Sequence, residues 1–222
     1  MTTQPNTKMN RRKFLKLAGV TLGVSAVSCC GLGTLATTQP QVNFVKNHIE
    51  GDREMNQRIL VTYASKAGST SEVAATIGKT LATNGTAVDV LPLEDVANIQ
   101  DYQAVVIGSA IRAGKWISSA TEFIKTHQSY LSRTPTAYFT CCMTLHEDTE
   151  ENRRKALDFM APVCDVVPPV EMAAFAGKMD YSKISFFERL IITKVFSIPE
   201  GDFRNWDKIQ TWAKKLQPVL VG

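Results

Sequence analysis

Three short stretches of this chain gather the side chains that could hold a ligand. The first is Ser65-Lys66-Ala67-Gly68-Ser69-Thr70. It offers three hydroxyls, a glycine that lets backbone approach closely, and a helical pattern directly behind it. Amides and hydroxyls of that kind at a helix start form an anion site, and the helix dipole favours a phosphate there. The same residues also fit a plain capped turn, with Ser69 or Thr70 as N-cap and Glu72 in the first turn. The stretch lacks the Gly-Lys-Ser/Thr ending of a Walker loop, and it is no GxGxxG fingerprint.

The second stretch is Ser109-Ala110-Ile111-Arg112-Ala113-Gly114, followed by Lys115-Trp116. Small, apolar and cationic residues with a glycine suit a loop lying along a flat ring system. Trp116 at the start of a helix either stacks on a ligand or packs against its neighbours, and packing is the commoner fate. The third stretch is Thr140-Cys141-Cys142-Met143. Adjacent cysteines raise redox or metal chemistry, but the only other cysteine beyond the N-terminal region is Cys164, and no CxxC pair or His/Cys cluster is present. A metal site is not expected, and small, soft residues lining a pocket are. His48, His127 and His146 fall in linker, helix and loop contexts, so no nucleophile-and-base set forms.

Elements that would position these stretches alternate regularly. Ile59 to Tyr63, Ala87 to Leu91, Ala104 to Gly108, Thr136 to Thr140 and Val170 to Phe175 are short apolar runs, as in strands buried on both faces of a parallel sheet. Val73, Ile77 and Leu81 recur at helical spacing, and Asn84-Gly85 ends that helix. Further helices are expected over Ile117 to Leu131, Asp148 to Met160 and Trp206 to Leu216. Five strands alternating with helices predict a doubly wound α/β sheet. Such sheets bind ligands at the carboxyl ends of their strands, where all three stretches lie. Ser185 to Phe196 reads as an extra apolar helix before the last one, either covering a sheet face or offering a substrate or quinone surface.

The N-terminus has a different character. Asn10-Arg11-Arg12-Lys13-Phe14-Leu15-Lys16 precedes an uncharged stretch from Leu17 to Val45, similar to a twin-arginine export signal. Residues 1–36 are read as signal or anchor, 37–57 as linker and 58–220 as the folded domain. Cleavage, lipidation at Cys29 or Cys30, and an uncleaved membrane anchor all fit this stretch. Five of the 25 basic side chains lie in the first 16 residues, leaving 20 against 21 acidic ones. The domain is therefore near neutral and lacks the basic footprint of a nucleic-acid binder.

Together these residues resemble the flavodoxin-like family, in which a Thr/Ser-x-Thr/Ser-Gly-x-Thr loop holds the phosphate of FMN. Ser65, Gly68 and Thr70 match that pattern and Ala67 departs from it. The resemblance is nearest to the menaquinone-dependent protoporphyrinogen dehydrogenase subgroup, through Tyr102 to Gly114, Glu122 to His127 and the missing hydroxyl at position 67. It implies a five-stranded parallel sheet in the order 2-1-3-4-5. It also implies FMN as cofactor, with Ser65, Lys66, Ala67, Gly68, Ser69 and Thr70 at the phosphate. Ser109, Ala110, Ile111, Arg112 and Gly114 would flank the isoalloxazine together with Thr140, Cys141, Cys142 and Met143. The partners implied are a quinone and a porphyrinogen. The expected function is an exported FMN oxidoreductase or electron carrier at the outer side of the cytoplasmic membrane, ranked above porphyrinogen dehydrogenation because haem synthesis is expected inside the cell. A flavodoxin-fold binding domain without FMN is the alternative from another class.

Overall fold

The computed structural model describes residues 42–51, 58–185, 189, 193 and 198–221. The expected export signal at residues 1–36 lies outside them, as does the expected helix at Ser185 to Phe196 apart from three of its residues.

The strands are β1 (Asn47–Ile49), β2 (Ile59–Ala64), β3 (Val88–Pro92), β4 (Ala104–Arg112), β5 (Lys115–Trp116), β6 (Thr136–Cys142), β7 (Glu171–Ala176), β8 (Lys178–Met179) and β9 (Gly201–Asp202). The α-helices are α1 (Ser69–Leu81), α2 (Ser118–Thr126), α3 (Gln128–Leu131), α4 (Glu150–Asp158), α5 (Ala161–Cys164) and α6 (Trp206–Val221). Five strands run parallel in the order β3-β2-β4-β6-β7, which is the expected 2-1-3-4-5 arrangement.

Alternate side chains of the sheet feed two apolar layers. Ile59, Val61 and Tyr63 of β2 point to one face with Val106, Phe139 and Cys141, and pack against α1 and α6. Leu60, Val105, Ile107 and Tyr138 point to the other face, under α2, α3 and α5. All six residues of β2 are buried, which is why that strand reads as an unbroken apolar run rather than an alternating one.

Two details depart from the sequence expectations. Part of the segment read as linker belongs to the sheet: β1 pairs antiparallel with β3, so that strand is not an edge. Val45 ahead of β1 accepts a hydrogen bond from the Tyr63 hydroxyl at 2.7 Å, and Phe44 packs near the Tyr63 ring. In the second case, β4 runs on to Arg112 and turns at Ala113-Gly114 into β5, so the expected loop is a β-hairpin. Ala113 and Gly114 have φ of 48° and 76°, the pair of positive values a two-residue type I′ turn requires. The following helix consequently opens at Ser118, after Trp116.

At the amino end of the sheet, Asp89 is buried and accepts three hydrogen bonds. They come from Arg58 Nη1 at 2.6 Å, the Tyr102 hydroxyl at 2.9 Å and His48 Nδ1 at 2.9 Å. This carboxylate joins β1, β2 and β3 to the turn before β4. Removing one member of a buried ion pair strands the other charge. Asp89→Ala is expected to destabilise the protein by about 3 kcal/mol, measured as the shift in urea unfolding.

Candidate functional site

The loop after β2 is held by its own side chains. Ser65 Oγ accepts from the Gly68 amide at 3.1 Å, and Ser71 Oγ donates to the Gly68 carbonyl at 2.6 Å. Gly68 is the N-cap of α1 at φ 89°, a left-handed conformation that favours glycine. A Cβ there would also come within 3.0 Å of Val42 Cγ1. No side chain caps the helix, so Ser69 and Thr70 do not serve as N-cap. The Ser71 and Glu72 amides fold back onto the Gly68 carbonyl. Those of Ser69 and Thr70 have no partner among the described residues and lie in the turn where a helix leaves its amides unpaired.

Thr70 carries the clearest sign of a ligand site. Its side chain is fully buried, and Oγ1 finds no hydrogen-bond partner among the described residues. An unpaired buried hydroxyl costs about 1–3 kcal/mol, so a native structure usually has a use for it. An uncapped first turn, a left-handed glycine and an orphaned hydroxyl fit the phosphate of FMN. Lys66 is exposed, and Ala67 and Ser69 are half-buried around the same turn.

The other two stretches meet this loop through strand register. Ala64 lies opposite Ser109, Ser109 opposite Thr140, and Ala110 opposite Cys141. Several of the expected ligand contacts are nevertheless committed to the protein itself. Ser109 Oγ donates to the Ala110 carbonyl and accepts from the Ile117 amide at 3.0 Å, tying the hairpin to the start of α2. Thr140 Oγ1 donates to the Ser109 carbonyl at 3.1 Å. Trp116 is buried edge-on to Tyr138, with ring centroids 5.5 Å apart, so it packs rather than presents a stacking face.

Ile111, at the outer end of β4, packs against the small cluster of Cys142, Leu145 and Ala156. Ala110 and Ile111 are half-buried, and Arg112 and Gly114 are exposed on the hairpin. Met143 is half-buried, with its sulfur close to Gly177. Cys141 and Cys142 point to opposite sides of the sheet, as neighbouring residues of a strand must. They do not act as a pair. The Cys141 thiol lies beneath the phosphate loop, near Thr70, but outside hydrogen-bonding geometry with it.

One residue at this site escaped the sequence reading. Arg204 sits between β9 and α6, with its side chain 2% exposed. Nε and Nη2 bind the Asp202 carboxylate at 2.8 and 2.6 Å, and Nη1 reaches Glu72 at 2.8 Å and the Ser69 carbonyl at 3.4 Å. The guanidinium lies over the Trp206 ring, 4.4 Å from its centroid. Burial by itself would make this cation harder to keep, and the Asp202 and Glu72 carboxylates more than reverse that effect. The only local signal is the charged pair Asp202 and Arg204 among aromatic residues, which says nothing of a contact with α1.

Burial pushes the Cys141 thiol up to about 12 from an ordinary 9.0; the neighbouring Cys142 adds to the effect, while Thr70 and Arg204 oppose it. The unfolded thiol ionises near the ordinary value and the folded one only much higher. Its contribution to stability is therefore complete below pH 9 and is lost as the pH rises toward 12. Cys141→Ala is expected to flatten the fall of the urea midpoint between about pH 9 and 12. An unchanged slope would leave that fall to the other groups that burial pushes up, Cys142, Tyr63, Tyr102 and Tyr138.

Comparison with known proteins agrees with the fold. The family model described as "Flavodoxin domain" matches residues 60–205. Protoporphyrinogen IX dehydrogenase [quinone] of Escherichia coli K12 is 23% identical over 172 residues, covering 72% of this chain and 94% of that protein. The Leishmania major protein of the same name is 27% identical over 183 residues, covering 74% of this chain and 77% of its own. Among solved structures, an archaeal flavodoxin aligns with a TM-score of 0.44 at 14% identity, covering 73% of this chain and 98% of its own. Flavodoxin 1 from Bacillus cereus aligns at 0.46 and 13%, covering 70% and 94%. The family match spans well over half of the chain, and this protein belongs to the flavodoxin domain family, with FMN as its cofactor.

Proposed function

We propose that the chain is an FMN-dependent, quinone-linked oxidoreductase that works at the outer side of the cytoplasmic membrane. The observation that carries the flavin part is the uncapped first turn of α1 with the orphaned Thr70 hydroxyl. When bound, FMN supplies the redox chemistry. The chain's part is to hold and surround it. Ser65 shapes the loop, the Ser69 and Thr70 amides and the Thr70 hydroxyl hold the phosphate, and Ala110, Ile111 and Met143 border the ring. Ser109 and Thr140 act one step back, by fixing the strand ends that carry those residues.

The quinone link is supported by the two relatives named as quinone-dependent dehydrogenases. Export is supported by Arg11-Arg12 and the uncharged stretch behind them. A twin-arginine route carries folded proteins, which suits a domain that must bind its cofactor first. The same relatives favour a second reading, oxidation of protoporphyrinogen IX. An extracytoplasmic site ranks it below a general quinone-linked role.

Purified full-length protein is expected to show flavin absorption bands and to release FMN on denaturation. A colourless protein that also refuses added FMN would leave a binding domain without redox chemistry. Chemically reduced holoprotein, kept free of oxygen, is expected to be reoxidised by a menaquinone analogue. If porphyrin fluorescence from added protoporphyrinogen then rises no faster than in a protein-free blank, the second reading fails and the first stands.

Thr70→Val provides a test of the cradle with two readouts of opposite sign. It removes an unpaired buried hydroxyl and so should leave the cofactor-free protein as stable or more so. It should also weaken FMN binding by about 1–3 kcal/mol, measured by flavin fluorescence quenching. Lower stability with unchanged FMN affinity would return Thr70 to a purely structural role.

A further inference from the structure

We infer that Arg204 is the positioning residue of the phosphate cradle, fixing the first peptide of α1 and neutralising the carboxylate that shares its first turn. The inference rests on the reading of Ser65 to Thr70 as the site of the FMN phosphate.

Arg204 is held from both sides. The two-pronged Asp202 contact uses Nε and Nη2, and the Asp202 carboxylate also accepts from the Arg204 amide at 3.2 Å. Stacking on Trp206 fixes the plane of the guanidinium from another direction. Only the Nη1 edge is then aimed at α1, where it meets Ser69 and Glu72. A planar fork braced in this way keeps its position better than a flexible ammonium would.

Each of the two contacts on α1 bears on the cradle. The Ser69 carbonyl and the Thr70 amide belong to one planar trans peptide and point in opposite directions. Holding the oxygen therefore sets the direction of the N–H. Thr70 is also the residue whose hydroxyl is buried without a partner. The Glu72 carboxylate sits where the positive end of the helix dipole attracts negative charge. Left unpaired there, it would repel a phosphate in the same turn. Bound to Arg204, its charge is matched.

This arrangement predicts an effect confined to the phosphate. Full-length protein stripped of flavin is titrated with FMN and with riboflavin, which differ only in that group, and flavin fluorescence is followed. Wild type should prefer FMN. Arg204→Met should lower FMN affinity about tenfold, the scale of one charge-assisted contact, and change riboflavin affinity less than about twofold. Adding Glu72→Gln to Arg204→Met should recover about threefold or more of the loss, because the unmatched carboxylate is gone. Asp202→Asn, at a side chain far more exposed than Arg204 itself, loosens the same guanidinium. It should reduce the FMN-to-riboflavin ratio in the same direction even if Arg204→Met does not fold.

Equal losses for the two flavins in these variants, or no recovery on adding Glu72→Gln, would make Arg204 a general structural clamp and overturn the inference. Equal binding of the two flavins by wild type would instead remove the cradle itself, and with it the ground for the inference.

Discussion

The parallel pairing of β2 with both β3 and β4 is the constraint on which the rest of the molecule depends. The chain leaves β2 for β3 on one side and later returns to lay β4 on the other. The direction of the strand order reverses there, and a crevice opens at the carboxyl ends of β2 and β4. Every candidate ligand contact lies at that end of the sheet. Because β2 is buried on both faces, its register can shift only by exposing apolar residues on one side or crowding the other. The position of the phosphate loop is therefore set by the core beneath it.

Around that loop the protein divides its polar groups into two sets. Ser65, Ser71, Ser109 and Thr140 spend their hydroxyls on the protein, closing the turn and tying strand ends to one another. Thr70 and the first amides of α1 are left over. A buried hydroxyl without a partner is a standing cost, and a bound phosphate is what would offset it. The opposite end of the sheet shows the reverse economy. There Asp89 accepts from Arg58, Tyr102 and His48 at once.

The strands and helices were readable in advance because apolar periodicity is a local property. Val73, Ile77 and Leu81 mark one face of α1 wherever that helix docks, and β2 and β4 announce their double burial by continuous apolar runs. The hairpin at Ala113-Gly114 was less legible. A glycine in a short turn suits a loop or a hairpin equally, and only the pairing of Arg112 with Lys115 decides between them. Strand β1 was hidden for a similar reason: three residues in a polar segment form a strand only when an exposed sheet edge accepts them.

The sequence by itself determined the α/β alternation, the three stretches at the strand ends and the resemblance that implies FMN. Each of these depends on residue type and spacing along the chain. Tertiary structure alone decided which hydroxyls remain for a ligand, that Cys141 and Cys142 face opposite ways around the sheet, and that Arg204 reaches a turn 135 residues before it. Such outcomes depend on strand register and on the direction of side chains across packed layers. Those quantities exist only once the sheet has closed around β2.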